Sequence, residues 1–105
     1  MAVQEVNVEE FETAIRENKV VVAKYWAPWC GPCKMFAPSY EQVAEKHGEI
    51  AFLSINSDEH PSILAANGVR GLPTVQAWVN GELRLSRPGM MTQGDLEREI
   101  QELIG

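Results

Sequence analysis

The sequence predicts an α/β domain built on a central mixed β-sheet, mostly parallel strands plus an antiparallel C-terminal hairpin, with helices on both faces. Three observations predict it. Two runs, "KVVVAKYWA" and "IAFLSIN", carry apolar side chains on both parities, as strands buried on both faces do. Segments with apolar residues at three- and four-residue spacing lie between the strands, and such helical crossovers make at least part of the sheet parallel. Asn80-Gly81 separates two extended runs and suits the two positive φ angles of a type I′ hairpin turn. A chain of 105 residues with 45% hydrophobic content is long enough to bury one core without staples, so residues 1–105 are read as one domain.

Each element follows from its local pattern. In "NVEEFETAIREN", Val8, Phe11, Ala14 and Ile15 recur near helical spacing, with Asn7 as N-cap and Glu10 three residues on. "KVVVAKYWA" is the first strand, and Lys24 is its one discordant residue. After Cys30 the period becomes helical through Cys33, Met35, Phe36, Tyr40, Val43 and Ala44, ending near His47 and Gly48, with a kink expected at Pro38. "IAFLSIN" is the second strand, and "HPSILAANG" a short helix with Pro61 near its start and Gly68 at its end. "TVQAWV" and "ELRLS" flank Asn80-Gly81, and Thr92 with Asp95 opens an amphipathic helix bearing Leu96, Ile100, Leu103 and Ile104. The predicted order is α-β-α-β-α-β-β-α.

Composition removes several function classes. Fifteen acidic against nine basic residues give a net charge of −6, which disfavours nucleic-acid binding and favours solubility. The start "MAVQEVNVEEFETA" has no basic run followed by an apolar core, and no stretch approaches the roughly 18 apolar residues of a membrane span. A cytoplasmic, soluble monomer that binds no membrane is expected.

The only two cysteines lie in "WAPWCGPCK". A structural staple is disfavoured, because such bridges belong to oxidising compartments and a loop this short removes little chain entropy. A zinc site needs two further ligands, whereas no second C-x-x-C exists and His47 and His60 read as isolated surface residues. A metal or cluster shared across a dimer is the remaining inorganic reading. Reactivity fits better. Cys30 lies where a strand gives way to a helix, and the unpaired amides there stabilise a thiolate. Cys33 lies one turn in on roughly the same face, within reach of Cys30. Pro32 fits the first helical turn and limits the freedom of the opened dithiol, while Gly31 lets another backbone come close. Thiol-disulfide exchange follows: Cys30 attacks a substrate disulfide and Cys33 resolves the mixed disulfide. No bound cofactor and no metal are expected.

With "YWAPWCGPCK", Pro38, "GVRGLPT" at 68–74, the "NGE" hairpin and Gly89 in this order, the chain closely resembles the thioredoxin family from about its first helix to its last. The resemblance implies a thioredoxin fold and a protein-disulfide reductase. It implies that Pro73 is a cis-proline beside the cysteines, and that Gly71, Leu72 and Pro73 contact an extended substrate segment, with the backbone at Leu72 pairing as an added strand does. It further implies that Trp29 flanks the active site, Trp26 packs behind it and Gly89 lines the substrate groove, with Pro88 and Met90 beside it. Its implied partners are disulfide-containing proteins and a thioredoxin reductase-like electron donor. A dithiol oxidant or isomerase, and a binding subunit using the same groove without redox turnover, are the alternatives.

The chain departs from the family where a buried aspartate usually stands behind the second cysteine: Lys24 occupies that position, and Ser54 replaces the lysine that commonly pairs with it. Either the Lys24 side chain snorkels to water, or it stays near Cys33, where its charge would favour the thiolate and make the couple more oxidising. Ser57 stands where a larger apolar residue commonly lies near the groove, so partner choice is expected to differ.

Overall fold

The computed structural model describes residues 2–105. Its elements are β1 (Val3–Glu5), α1 (Val8–Glu17), β2 (Val20–Trp26), α2 (Gly31–Glu45), β3 (Ala51–Asn56), α3 (Pro61–Ala66), β4 (Thr74–Val79), β5 (Glu82–Pro88) and α4 (Gln93–Ile104). The sheet order is β1-β3-β2-β4-β5. β1 and β2 each pair parallel to β3, whereas β4 runs antiparallel to β2 and β5 antiparallel to β4. The mixed sheet and its C-terminal hairpin are as expected.

One strand escapes the sequence pattern. β1 has three residues, none fully buried, and exists because its backbone pairs with Phe52, Leu53 and Ser54 of β3. Its side chains carry no apolar alternation that would announce it, so the observed order begins with a strand rather than with α1.

The link from β3 to β4 also matters for the site. At 1.5 Å per residue the six-residue α3 spans about 9 Å, roughly half the ~20 Å length of a six-residue strand. It does not carry the chain back along the strand, and β4 begins at the end where β3 finishes. Thr74, its first residue, therefore pairs with Tyr25 near the C-terminal end of β2. That places Pro73 beside the segment that follows β2.

The two faces of β2 feed two cores. Val20 and Val22 pack with Phe36, Tyr40 and Val43 of α2 and Leu96 and Ile100 of α4. Val21, Ala23 and Tyr25 pack with Phe11 of α1, Ile63 of α3 and Trp78. Asn80 and Gly81 have φ of 52° and 81°, the pair of left-handed conformations that the hairpin demands. α2 runs unbroken through Pro38, whose ring lies on its exposed side.

Candidate functional site

β2 ends at Trp26, and a short turn closed by the Cys30 amide donating to the Ala27 carbonyl (3.1 Å) delivers the chain to α2. Cys30 is the N-cap of that helix, with extended backbone at φ −89° and ψ 104°. Its Sγ accepts a hydrogen bond from the Cys33 amide at 3.3 Å, so the first turn of the helix directs a backbone donor at this sulfur. The two cysteines are disulfide-bonded, with Cα atoms 5.3 Å apart. Both are buried, and with Ala27 they form a small apolar cluster against which Trp26 and Leu72 pack.

Of the residues singled out in the sequence, Trp26 and Leu72 pack against this pair, and the others are held to the segments around it as follows. Pro73 is buried, the Leu72–Pro73 peptide is cis, and Leu72 touches the cysteine cluster. The Gly71 carbonyl accepts from the Thr74 hydroxyl at 2.7 Å, tying the approach to β4. Gly89, with φ 88°, donates its amide to the Pro73 carbonyl at 2.8 Å, so the loop after β5 is stitched to the same segment. Trp29 is 70% exposed, and its indole N–H donates to Asp58 at 3.1 Å. Trp26 is half-buried behind the cysteines and donates to Glu5 at 3.1 Å. Gly31 and Pro32 are exposed in the first turn, and a side chain at Gly31 would meet no neighbouring atom of the chain. Met90 is exposed, and Ser57 donates its amide to the Trp26 carbonyl at 2.7 Å while its own hydroxyl is buried without a partner.

Most of the Lys24 side chain is covered. It is 7% exposed, with Nζ 5.1 Å from the centre of the Tyr40 ring, and it lines a cavity of about 210 Å³ with Cys33, Trp26, Glu5 and Ser54. Burial lowers its pKa, opposed by the charges of Glu5 and Glu41. Tyr40 itself is held by its single hydroxyl proton, which is donated to the Leu53 carbonyl at 2.7 Å and shared with the Val22 carbonyl at 3.2 Å. Burial raises the pKa of its phenol well above the ordinary value.

His47 is also not the surface residue that its isolation in the sequence indicated. It is 7% exposed, and Nε2 lies 2.6 Å from Glu97 of α4, because that helix packs over the end of α2 and brings a carboxylate to it. Among the described residues no group of three or more His, Cys, Asp or Glu side chains is arranged to hold a metal ion. Among them, too, no helix is long and apolar enough to cross a membrane. Glu5 and Asp58, which anchor the two tryptophans, were not evident from the sequence. Each is an ordinary exposed acid there, and only the fold brings it to its indole.

The thioredoxin family model matches residues 2–102. The chain is 36% identical over 104 residues to a chloroplastic M-type thioredoxin of Spinacia oleracea, covering 97% of this chain and 58% of that protein. It is 33% identical over 106 residues to a thioredoxin of Porphyra purpurea, covering 99% of each. The chain thus spans little more than half the length of the spinach relative, but nearly all of the Porphyra one. Among solved structures it is similar to a mutant thioredoxin from Halobacterium salinarum NRC-1, at 33% identity and a TM-score of 0.90 over 95% of this chain and 88% of that one. The disulfide at the head of α2 therefore sits in a fold and a sequence context shared along almost the whole chain with these proteins, and the chain belongs to the thioredoxin family.

Proposed function

We propose that the chain, acting as one domain, is a protein-disulfide reductase that carries electrons on the Cys30–Cys33 couple. The observation that carries this reading is the cysteine pair at the N-terminus of α2, with the Cys33 amide aimed at Cys30 Sγ. That donor and the helix dipole favour negative charge on Cys30 once the bond is open, which makes it the attacking thiolate. Cys30 Sγ bonds to one sulfur of a substrate disulfide, and the other leaves as a thiolate that takes a proton. Cys33 Sγ then attacks Cys30 Sγ and loses its proton, the remaining substrate sulfur departs reduced, and the 30–33 bond is restored. Two electrons have passed from the dithiol to the substrate. A thioredoxin reductase-like donor returns them, which fits a reducing compartment such as the cytoplasm.

Substrate contact is assigned to Trp29, Gly71, Leu72, Pro73 and Gly89. Leu72 packs against the cysteine cluster, Gly89 is bonded to Pro73, and Trp29 presents an exposed aromatic surface beside the turn. An extended peptide laid along residues 71–73 would pair through its backbone in the manner of strand addition. A side chain at Gly31 would meet no atom of this chain, which leaves that side of the disulfide open to an approaching backbone. The test is insulin reduction with dithiothreitol as donor. Wild type is expected to accelerate precipitation and Cys30→Ser to reduce it to the uncatalysed rate. Equal rates for the two proteins would overturn the reading.

A further inference from the structure

We propose that the charge of Lys24, with Glu5 opposing it across the same cavity, governs the ionisation of Cys33, so that Lys24 is a positioning residue which makes the Cys30–Cys33 couple more oxidising. The proposal rests on the reading of Cys33 as the resolving thiol and deepens it. Lys24 lies in the middle of the sheet, paired to Ser54 on one side and Val75 on the other. It shares the face of Val20 and Val22, under α2, yet an ammonium is costly to bury unless something compensates it. Three features compensate it. The Tyr40 ring lies under Nζ at 5.1 Å, its orientation held by the shared proton of its hydroxyl. Glu5 stands across the same cavity, with one carboxylate oxygen fixed by the Trp26 indole. Glu41 of α2 adds a second negative charge.

The groups facing Lys24 are thus Glu5 from β1 and Glu41, Tyr40, Lys34 and Cys33 from α2, while β3 and β4 contribute only the uncharged Ser54 and Val75 as register partners. Cys33 is the one sulfur lining this cavity. In the oxidised state it has no charge to offer Lys24. When the disulfide accepts two electrons and opens, a thiolate on Cys33 gains the ammonium in a site poorly screened by water. The reduced form is stabilised and the potential rises. During resolution the Cys33 proton leaves through the cavity to solvent, its sulfur bonds to Cys30, and the substrate sulfur departs with the electron pair. Glu5 works against the thiolate and moderates the effect.

The test combines thiolate absorbance titration of the reduced protein with redox equilibrium against glutathione. Lys24→Met is expected to make Cys33 titrate about tenfold less readily. Its equilibrium constant should shift about tenfold toward reducing, about 30 mV for a two-electron couple. Lys24→Arg should keep the wild-type values, and Glu5→Gln, an exposed position that does not threaten folding, should move both quantities in the opposite direction to Lys24→Met. Unchanged titration and potential in Lys24→Met, or in Glu5→Gln, would overturn the proposal. Insulin reduction by wild type separates the two readings. If it proceeds while the potentials do not move, this proposal alone falls. If wild type matches Cys30→Ser, the reductase reading falls instead.

Discussion

Glu97 shows how one side chain ties stability to pH. Its burial alone would raise its pKa, but hydrogen bonds with Gln101 and His47, and the charges of His47 and Lys46, outweigh that and hold it below the ordinary value of 4.5. A carboxylate with a depressed folded pKa adds stability that is complete above its unfolded pKa and is lost as pH falls through the folded one. Over that window the unfolded chain binds more protons, so stability rises with pH. Glu97→Gln is therefore expected to lower the urea midpoint at pH 7 and to flatten its decline below about pH 4.5 relative to wild type. Parallel pH profiles for the two proteins would contradict the coupling. Neither partner was readable as such in advance. His47 and Glu97 are 50 residues apart, and each alone has the look of a solvated residue.

At the scale of elements, local chemistry and observed structure agree most closely at helix starts and at the hairpin. Asn7 accepts from the Glu10 amide at 2.8 Å while Glu10 accepts from the Asn7 amide at 2.9 Å, the reciprocal capping that N-x-x-E spells out in sequence. Asn7→Ala is expected to cost about 1 kcal/mol, read as a lower urea midpoint at unchanged slope. Thr92 caps α4 through the Asp95 amide at 3.0 Å in the same way. These agreements have one cause: caps and tight turns are settled by neighbours three or four residues away. β1 is the contrary case, since its hydrogen bonds go to a strand some fifty residues later.

Across the whole molecule, α2 and α4 lock onto one face of the sheet through a shared core. Leu96 and Ile100 are fully buried there with Phe36, Tyr40 and Val43, and Arg87 of β5 pairs with Glu99 at the rim. Leu96→Ala is expected to lower stability by about 2–5 kcal/mol, because the surrounding rings and strands cannot collapse into the space left. Chemical denaturation checks it, and a loss under about 1 kcal/mol would mean that α4 contributes little to this core. The same core anchors the middle and end of α2, the helix that carries the disulfide at its head.

The amino-acid order alone was enough for the mixed sheet, the helix caps, the hairpin and the reactive cysteine pair. Each rests on periodicity or on spacing within a few residues, and the family resemblance added the cis peptide before Pro73. Three-dimensional packing was needed for the rest. It paired β1, brought β4 in antiparallel to β2 at the cysteine end of the sheet, and turned His47 from surface to interior. It also set where Lys24 lies, over the Tyr40 ring and in one cavity with Glu5 and Cys33, because these groups meet it only after α2 and β1 have closed over that end of β2.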